Sequence, residues 1–172
     1  GSNSCYFDGN EVKEEIPALA YILGDEGSGS YIGKRLLADF FYKKMPENIA
    51  KDFQEQYGID MGVMVEKVYA QPHANVYLAS LSRFCSRHAE APYITDIIKE
   101  GMHKFLSTHV ACYEGFESIP VNFVGSIAHY FENELREVGS ELNIQIGRIV
   151  RKPIQGLVDY HLKYTFALSL IH

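Results

Sequence analysis

The chain has 172 residues, of which 47% are hydrophobic and 22% charged, so it can form one domain with a sizeable core. Its formal net charge is −6 and its basic residues are scattered, which argues against a nucleic-acid partner. No apolar run approaches the roughly 18 residues of a membrane span, and the first residues lack a signal-peptide pattern, so we expect a cytoplasmic protein without a membrane partner.

The first 23 residues predict three strands. The segment SNSCYFDG is a short strand that ends in the hairpin-turn sequence Asp8-Gly9-Asn10, and EVKEEI alternates with the period of a second strand. The apolar run ALAYIL (18–23) predicts a third, more buried strand. This order is typical of an antiparallel meander.

The first residues, GSNS, allow two interpretations. Gly1 and Ser2 are either the remnant of a tag or the start of the second half of a longer protein, since no initiator methionine precedes them. A small Gly-Ser turn before a strand can also hold a phosphate through its backbone N–H groups.

The stretch LGDEGSGSYIGKRLL (23–37) combines two carboxylates, Asp25 and Glu26, with a glycine-rich turn. Apolar residues recur at helical spacing from Ser30, which predicts a helix to about Lys44. The glycine spacing fits neither a Walker A loop nor a dinucleotide-binding fingerprint. The carboxylates either complement the helix dipole or accept hydrogen bonds from a polyol such as a sugar; they would repel a phosphate.

Residues 46–114 predict an almost wholly helical insert. Asp60 is a candidate N-cap, and the longest helix starts near Pro92 with one continuous apolar stripe. We expect this insert to support domain closure or a dimer interface.

The remaining segments predict a β-α-β-α order. PVNFVG (120–125) is a strand, Ser126 can cap a helix that ends at Gly139, NIQIGRIV (143–150) is a second strand, and Pro153 opens the last helix. Strands joined through a helix are parallel. We therefore predict an α/β fold with a mixed five-stranded sheet flanked by helices.

Two glycine turns are candidate ligand sites. Gly125 and Ser126 follow a strand at the edge where open α/β sheets bind ligands, although a Gly-Ser helix entry is more often a plain helix cap. Gly156 lies in the first turn of the last helix, where close packing or ligand access would explain it.

Metal chemistry is not indicated by the sequence. Cys5, Cys85 and Cys112 form no CxxC pair, and the seven histidines form no HExxH motif.

In combination, the segments GSN, LGDEGS, YIG, VNFVGS and KPIQG resemble the second domain of BadF/BadG-type ATPases, and within them the N-acetylglucosamine kinase group. That family belongs to the sugar kinase, Hsp70 and actin superfamily, in which two ribonuclease H-like domains close around ATP. The resemblance spans the whole chain and implies an ATP- and Mg²⁺-dependent enzyme that phosphorylates an amino sugar.

The resemblance also implies a role for each matching residue. On the sugar side, Asn3 would lie near the sugar, and Asp25 and Glu26 match the acidic pair that contacts sugar hydroxyls.

On the nucleotide side, Gly1 and Ser2 match the end of a loop that approaches the transferred phosphate, which makes a tag remnant less plausible. Gly125 and Ser126 match the adenosine-side turn, and Gly156 matches the second glycine turn.

The family's first phosphate hairpin and its catalytic aspartate have no counterpart here, because they belong to the first domain. Residues 1–172 would therefore be a C-terminal actin-like lobe that contains no catalytic base, is inactive alone, and has an N-terminal lobe as its partner. A homodimer is a further expectation.

Two alternatives stay open. The first is an ATPase activator of the 2-hydroxyacyl-CoA dehydratase type, which would need an arrangement of cluster-binding cysteines that this chain does not show. The second is a non-catalytic actin-like lobe that only binds a sugar or a protein partner.

Overall fold

Helices dominate the computed structural model, which describes residues 1–166. The four strands are Tyr6–Phe7 (β1), Val12–Lys13 (β2), Val121–Val124 (β3) and Ile146–Val150 (β4). The α-helices are Ala20–Leu23 (α1), Gly29–Phe41 (α2), Glu47–Tyr57 (α3), Met61–Val65 (α4), Ala74–Leu81 (α5), Arg83–Arg87 (α6), Pro92–Phe105 (α7), Ser126–Tyr130 (α8), Glu132–Glu141 (α9) and Ile154–His161 (α10). Three π-helical turns continue helices, at Glu66–Ala70, Leu106–Val110 and Leu162–Phe166, and Phe116–Ser118 is a 3₁₀ turn.

The N-terminal hairpin is confirmed. β1 and β2 pair antiparallel, with Tyr6 opposite Lys13. The turn is held by the Asp8 carboxylate, which accepts the backbone N–H groups of Asn10 at 2.8 Å and Glu11 at 2.9 Å. These two hydrogen bonds favour the ionised form and lower the pKa of Asp8.

The parallel pairing of the last two strands is also confirmed. β3 and β4 run side by side, with Val121 opposite Ile146 and Val124 opposite Val150, and the register shifts between Val121 and Phe123. Since parallel strands need a crossover, helices α8 and α9 fill the connection between them.

The predicted third strand is wrong. The last four residues of ALAYIL form the short helix α1 (Ala20–Leu23), closed by a hydrogen bond of 2.8 Å from the Gly24 N–H to the Ala20 carbonyl. A strand needs a neighbour for its backbone groups, and the described residues place none beside 18–23, so the chain bonds locally instead. The described strands form two separate two-stranded sheets, and the five-stranded sheet stays a prediction.

Of the two predicted side-chain helix caps, one is confirmed and one is wrong. Asp60 caps α4 as predicted, since its carboxylate accepts the Val63 N–H at 2.8 Å. Ser126 is not a side-chain cap: it is the first residue of α8, after Gly125. Gly139 does not end its helix either. It is buried, and a Cβ there would lie 2.6 Å from the side chain of Ile146, so its role is close packing against β4.

The predicted helical insert forms much of the hydrophobic core. The rings of Phe53 and Phe84 meet edge to face at 5.0 Å, and Phe40 packs against Phe53 at 5.4 Å. Fully buried core side chains come from α2, the insert and α9: Leu36, Phe53, Leu81, Phe84, Ile94, Ile98, Leu106, Leu135 and Val138. None of the helices within residues 1–166 is long and apolar enough to cross a membrane.

Glycines set the spacing of the helices around the glycine-rich stretch. Helix α2 lies so close to α5 that a Cβ on Gly33 would be 2.0 Å from the carbonyl oxygen of Leu78. Gly27, with φ +67°, lies against the backbone of Gly101 in α7. These glycines therefore serve helix packing and fix where the acidic pair lies.

We expect Gly33→Ala to destabilise the protein by about 3 kcal/mol, because the added methyl would overlap the α5 backbone, which cannot move alone. Gly156→Ala is the matched control. It is also helical but meets nothing within 4 Å, so alanine should be neutral or stabilise by up to ~1 kcal/mol. Urea denaturation of both variants checks this; equal stabilities would contradict the close approach of α2 and α5.

Candidate functional site

A cavity of about 400 Å³ lies where the N-terminal segment, the glycine-rich turn, the end of α7 and the β3–α8 turn meet. Its polar wall comes from residues before β1, from the turn before α2 and from the β3–α8 turn. Its apolar wall comes from α7, from the π-helical turn that continues it, and from the segment that runs from β3 to α9: Met102, Phe105, Val110, Val121, Phe123, Ile127 and Leu135.

The turn that enters α2 is built around Asp25. This residue adopts a left-handed conformation, with φ +63°, and is only 7% exposed. One carboxylate oxygen accepts the Ser30 hydroxyl at 2.9 Å, and Ser28, the N-cap of α2, shares a hydrogen bond of 2.9 Å with Ser30. The predicted helix start is thus confirmed, and the buried carboxylate is held by side-chain hydroxyls at that start.

Glu26 is the member of the acidic pair that lines the cavity. Its side chain is 24% exposed, and one oxygen lies 3.1 Å from Nε2 of His109. His109 comes from the π-helical turn that continues α7, and its ring stacks on Phe105 at 5.3 Å. The carboxylate therefore faces the cavity with one oxygen tied to the helical insert.

The N-terminal residues lie against this turn. The Gly1 nitrogen is 3.6 Å from Asp25 Oδ2, and the Ser4 hydroxyl donates to the His109 carbonyl at 2.6 Å. Asn3 donates to Glu14 at 3.4 Å, at the exposed side of the segment.

Ser2 differs from its neighbours in its hydrogen bonding. Its hydroxyl is buried and has no hydrogen-bond partner among the described residues. The N-terminal segment thus brings an unused hydroxyl to the wall of the cavity.

At the β3–α8 turn, the backbone of Gly125 is open to the cavity. Its φ of +149° is a conformation that residues with a side chain rarely adopt, and a Cβ there would meet nothing within 4 Å. Its N–H is used in the sheet, donating to the Val150 carbonyl at 2.9 Å. A flat or phosphorylated ligand could approach this turn closely.

The structure thus brings most of the predicted site residues to one cavity. Six of them line it: Gly1, Ser2, Asn3, Glu26, Gly125 and Ser126. Asp25 lies directly behind the wall, beside Gly1. Gly156 lies on α10 and does not line the cavity.

Sequence reasoning missed Ser30 and His109. The helical spacing identifies Ser30 only as the start of the predicted helix; the signal for its second role is a serine close after a carboxylate at a helix start, where its hydroxyl can donate to that carboxylate. His109 stands four residues after Phe105 on the apolar stripe of the longest helix. A histidine on a face that is otherwise apolar is the signal that could have found it.

The cysteines take no part in the cavity's polar wall apart from Cys5, which borders it. Burial raises the pKa of the Cys85 thiol to about 12, as expected for a packed, unreactive cysteine. In the part of the chain that the structure describes, no group of three or more His, Cys, Asp or Glu side chains could hold a metal ion.

A comparison with solved structures finds a putative N-acetylglucosamine kinase from Porphyromonas gingivalis. The TM-score is 0.89 and the sequences are 33% identical, over 96% of this chain and 58% of that protein. The chain thus spans a little over half of that relative's length. No family model matches the chain, and no curated protein does. The structural similarity supports a sugar kinase-like relationship.

Ser30→Ala tests the network that holds Asp25. It removes a hydroxyl donor from a buried carboxylate, so we expect a loss of about 1–3 kcal/mol in the free energy of unfolding. Ser107→Ala removes an exposed hydroxyl that donates to the backbone carbonyl of Lys104. It should change the free energy of unfolding by less than about 0.5 kcal/mol. Equal effects of the two substitutions on urea denaturation would show that Ser30 does not stabilise the turn.

Proposed function

We propose that this chain is the C-terminal lobe of an ATP-dependent sugar kinase that phosphorylates N-acetylglucosamine or a related amino sugar. The observation that carries the proposal is the single cavity where the acidic turn, the N-terminal Gly-Ser segment and the Gly125 turn meet. The similarity to a putative N-acetylglucosamine kinase supports the same assignment.

The acidic turn is the proposed sugar subsite. A partly exposed carboxylate such as Glu26 can accept hydrogen bonds from neighbouring sugar hydroxyls. Asp25 lies behind this wall, bonds Ser30 through Oδ2 and has Oδ1 beside Gly1; its contact with the sugar is proposed to run along the side of Gly1. Asn3, on the same wall, adds an amide that both donates and accepts.

The apolar wall supports an N-acetylated sugar. Phe105 lines the cavity and stacks on the histidine that bonds Glu26, so apolar surface lies next to the carboxylate. Val110 borders the cavity one residue after that histidine. The methyl of an acetamido group would be buried there, which favours N-acetylglucosamine over glucose by about 1 kcal/mol.

The Gly125 side is the proposed nucleotide subsite, and the residues present fit a nucleotide. The open space at Gly125 admits a flat base or a phosphate, and Ser126 follows it at the same wall. On the other wall, the unpartnered Ser2 hydroxyl can donate to a phosphate oxygen. When bound, Mg·ATP supplies the phosphoryl group; Gly156 stays a proposed contact from α10.

A second lobe is required for catalysis in this proposal. In this proposal Asp25 and Glu26 serve binding, and the general base on the sugar hydroxyl comes from the N-terminal lobe. The short N-terminal elements expose large side chains, among them Phe7 at 60%, Ile22 at 71% and Leu23 at 74%. An N-terminal lobe would cover this apolar surface. A cytoplasmic location and a homodimer remain predictions.

The full-length protein should release ADP in the presence of N-acetylglucosamine and more slowly with glucose or without sugar. Because hydrogen bonds to a charged group are worth about 1.5–3 kcal/mol, Glu26→Gln and Asp25→Asn should each lower kcat/KM for the sugar roughly 10- to 100-fold. A coupled assay of ADP release measures this.

Two results of that assay would contradict the proposal. Sugar-independent ATP turnover would favour the activator-type ATPase. Activity of residues 1–172 alone would contradict the need for a second lobe.

Gly125→Ala tests the nucleotide subsite. A side chain at this open turn would narrow the approach to the backbone, so we expect KM for ATP to rise about tenfold while KM for the sugar stays within twofold. Gly115→Ala is the matched control, because Gly115 also has a positive φ, +73°, but does not line the cavity. If both variants shift KM for ATP alike, backbone strain and not ligand access explains the effect.

A further inference from the structure

The contact between Glu26 and His109 joins the cavity wall to the predicted helical insert. The two residues are 83 positions apart in the chain, and their side chains meet at 3.1 Å. The His109 side chain is 4% exposed, whereas that of Glu26 is 24% exposed toward the cavity side. A buried polar ring thus supports a carboxylate that remains available to a ligand.

The hydrogen bond has a defined direction. A carboxylate only accepts, so Nε2 of His109 carries the proton and donates it to Glu26. Nδ1 is buried and has no hydrogen-bond partner among residues 1–166. The only polar contact that the ring makes there is therefore the one to Glu26.

The ring is held in place from two sides. Phe105, one turn earlier, stacks on it with an interplanar angle of 24°. The Ser4 hydroxyl donates to the backbone carbonyl of His109 at 2.6 Å, which ties the N-terminal segment to the same turn. The direction of Nε2 is consequently fixed by elements that all border the cavity.

We propose that His109 is a positioning residue that holds the Glu26 carboxylate in the orientation that binds the sugar. This inference rests on the proposed function and extends it, since it makes the helical insert a determinant of sugar affinity. Loss of the Nε2 donor would release Glu26 to rotate into solvent or toward other donors, and the sugar would meet a disordered acceptor.

Asparagine and glutamine at position 109 place an amide N–H group at two different points in the same site. In His109→Gln the amide nitrogen reaches the place of Nε2, whereas in His109→Asn it reaches only the place of Nδ1, which has no partner. Both substitutions introduce the same group into the same buried position, but Asn is smaller than Gln and leaves a larger void, so the stability of each variant is measured beside its KM. A purely structural role predicts that the difference in KM between the Asn and Gln variants persists without the Glu26 carboxylate, whereas the positioning role predicts that it disappears.

The experiment measures the KM for N-acetylglucosamine and for ATP in the full-length protein. We expect His109→Asn to raise KM for the sugar about tenfold and to leave KM for ATP within twofold, as is typical of losing a hydrogen bond to a charged group. His109→Gln should restore KM to within about threefold of wild type. In a Glu26→Ala background, His109→Asn should have no further effect on KM for the sugar.

The outcomes are distinguishable. Sugar-dependent turnover with an unchanged KM in His109→Asn, or equal losses in the Asn and Gln variants, overturns the positioning role alone. A full additional effect of His109→Asn in the Glu26→Ala background overturns it as well. Absence of sugar-dependent turnover in the wild type overturns the proposed function and this inference together. Thermal melts show whether the variants fold; if His109→Asn does not fold, a wild-type-like KM in His109→Gln supports the role and a tenfold rise contradicts it.

Discussion

The close approach of backbone to backbone at the glycine-rich turn is the constraint on which the site depends. Gly33 lets α2 touch the backbone of α5, and Gly27 lets the preceding turn touch Gly101 in α7. In the turn before α2, Asp25 adopts a left-handed conformation and its carboxylate is buried. Glu26, the next residue, then emerges at the cavity wall.

The helical insert shapes the cavity and also fills the core. The helix that provides the core residues Ile94 and Ile98 continues into a π-helical turn whose His109 bonds Glu26. A π-helical turn changes the direction of successive side chains relative to an ordinary helix, and such turns are frequent at functional sites. One continuous helix therefore both fills the hydrophobic core and carries the histidine that bonds Glu26.

The sequence was sufficient for several features that depend on neighbouring residues, although not for the Ser126 cap. The Asp8 turn, the Asp60 cap and the start of α2 are local, and all three were predicted. The sequence was insufficient where a segment's structure depends on contacts with residues that are distant in the chain. The run 18–23 has the composition of a strand but no described strand to pair with, and Gly139 packs on β4 although glycines commonly end helices. The pairing of Glu26 with His109 likewise needs the tertiary fold, because nothing near either residue indicates the other.

Sugar binding by the acidic turn is central to the proposed function. The most direct test is a crystal structure of the full-length protein with N-acetylglucosamine and a non-hydrolysable ATP analogue. We expect sugar hydroxyls within hydrogen-bond distance of Glu26 or Asp25, and the nucleotide beside Gly125. A sugar bound elsewhere, with the acidic turn in contact only with protein, would contradict this expectation and leave the two carboxylates as residues that stabilise the start of α2.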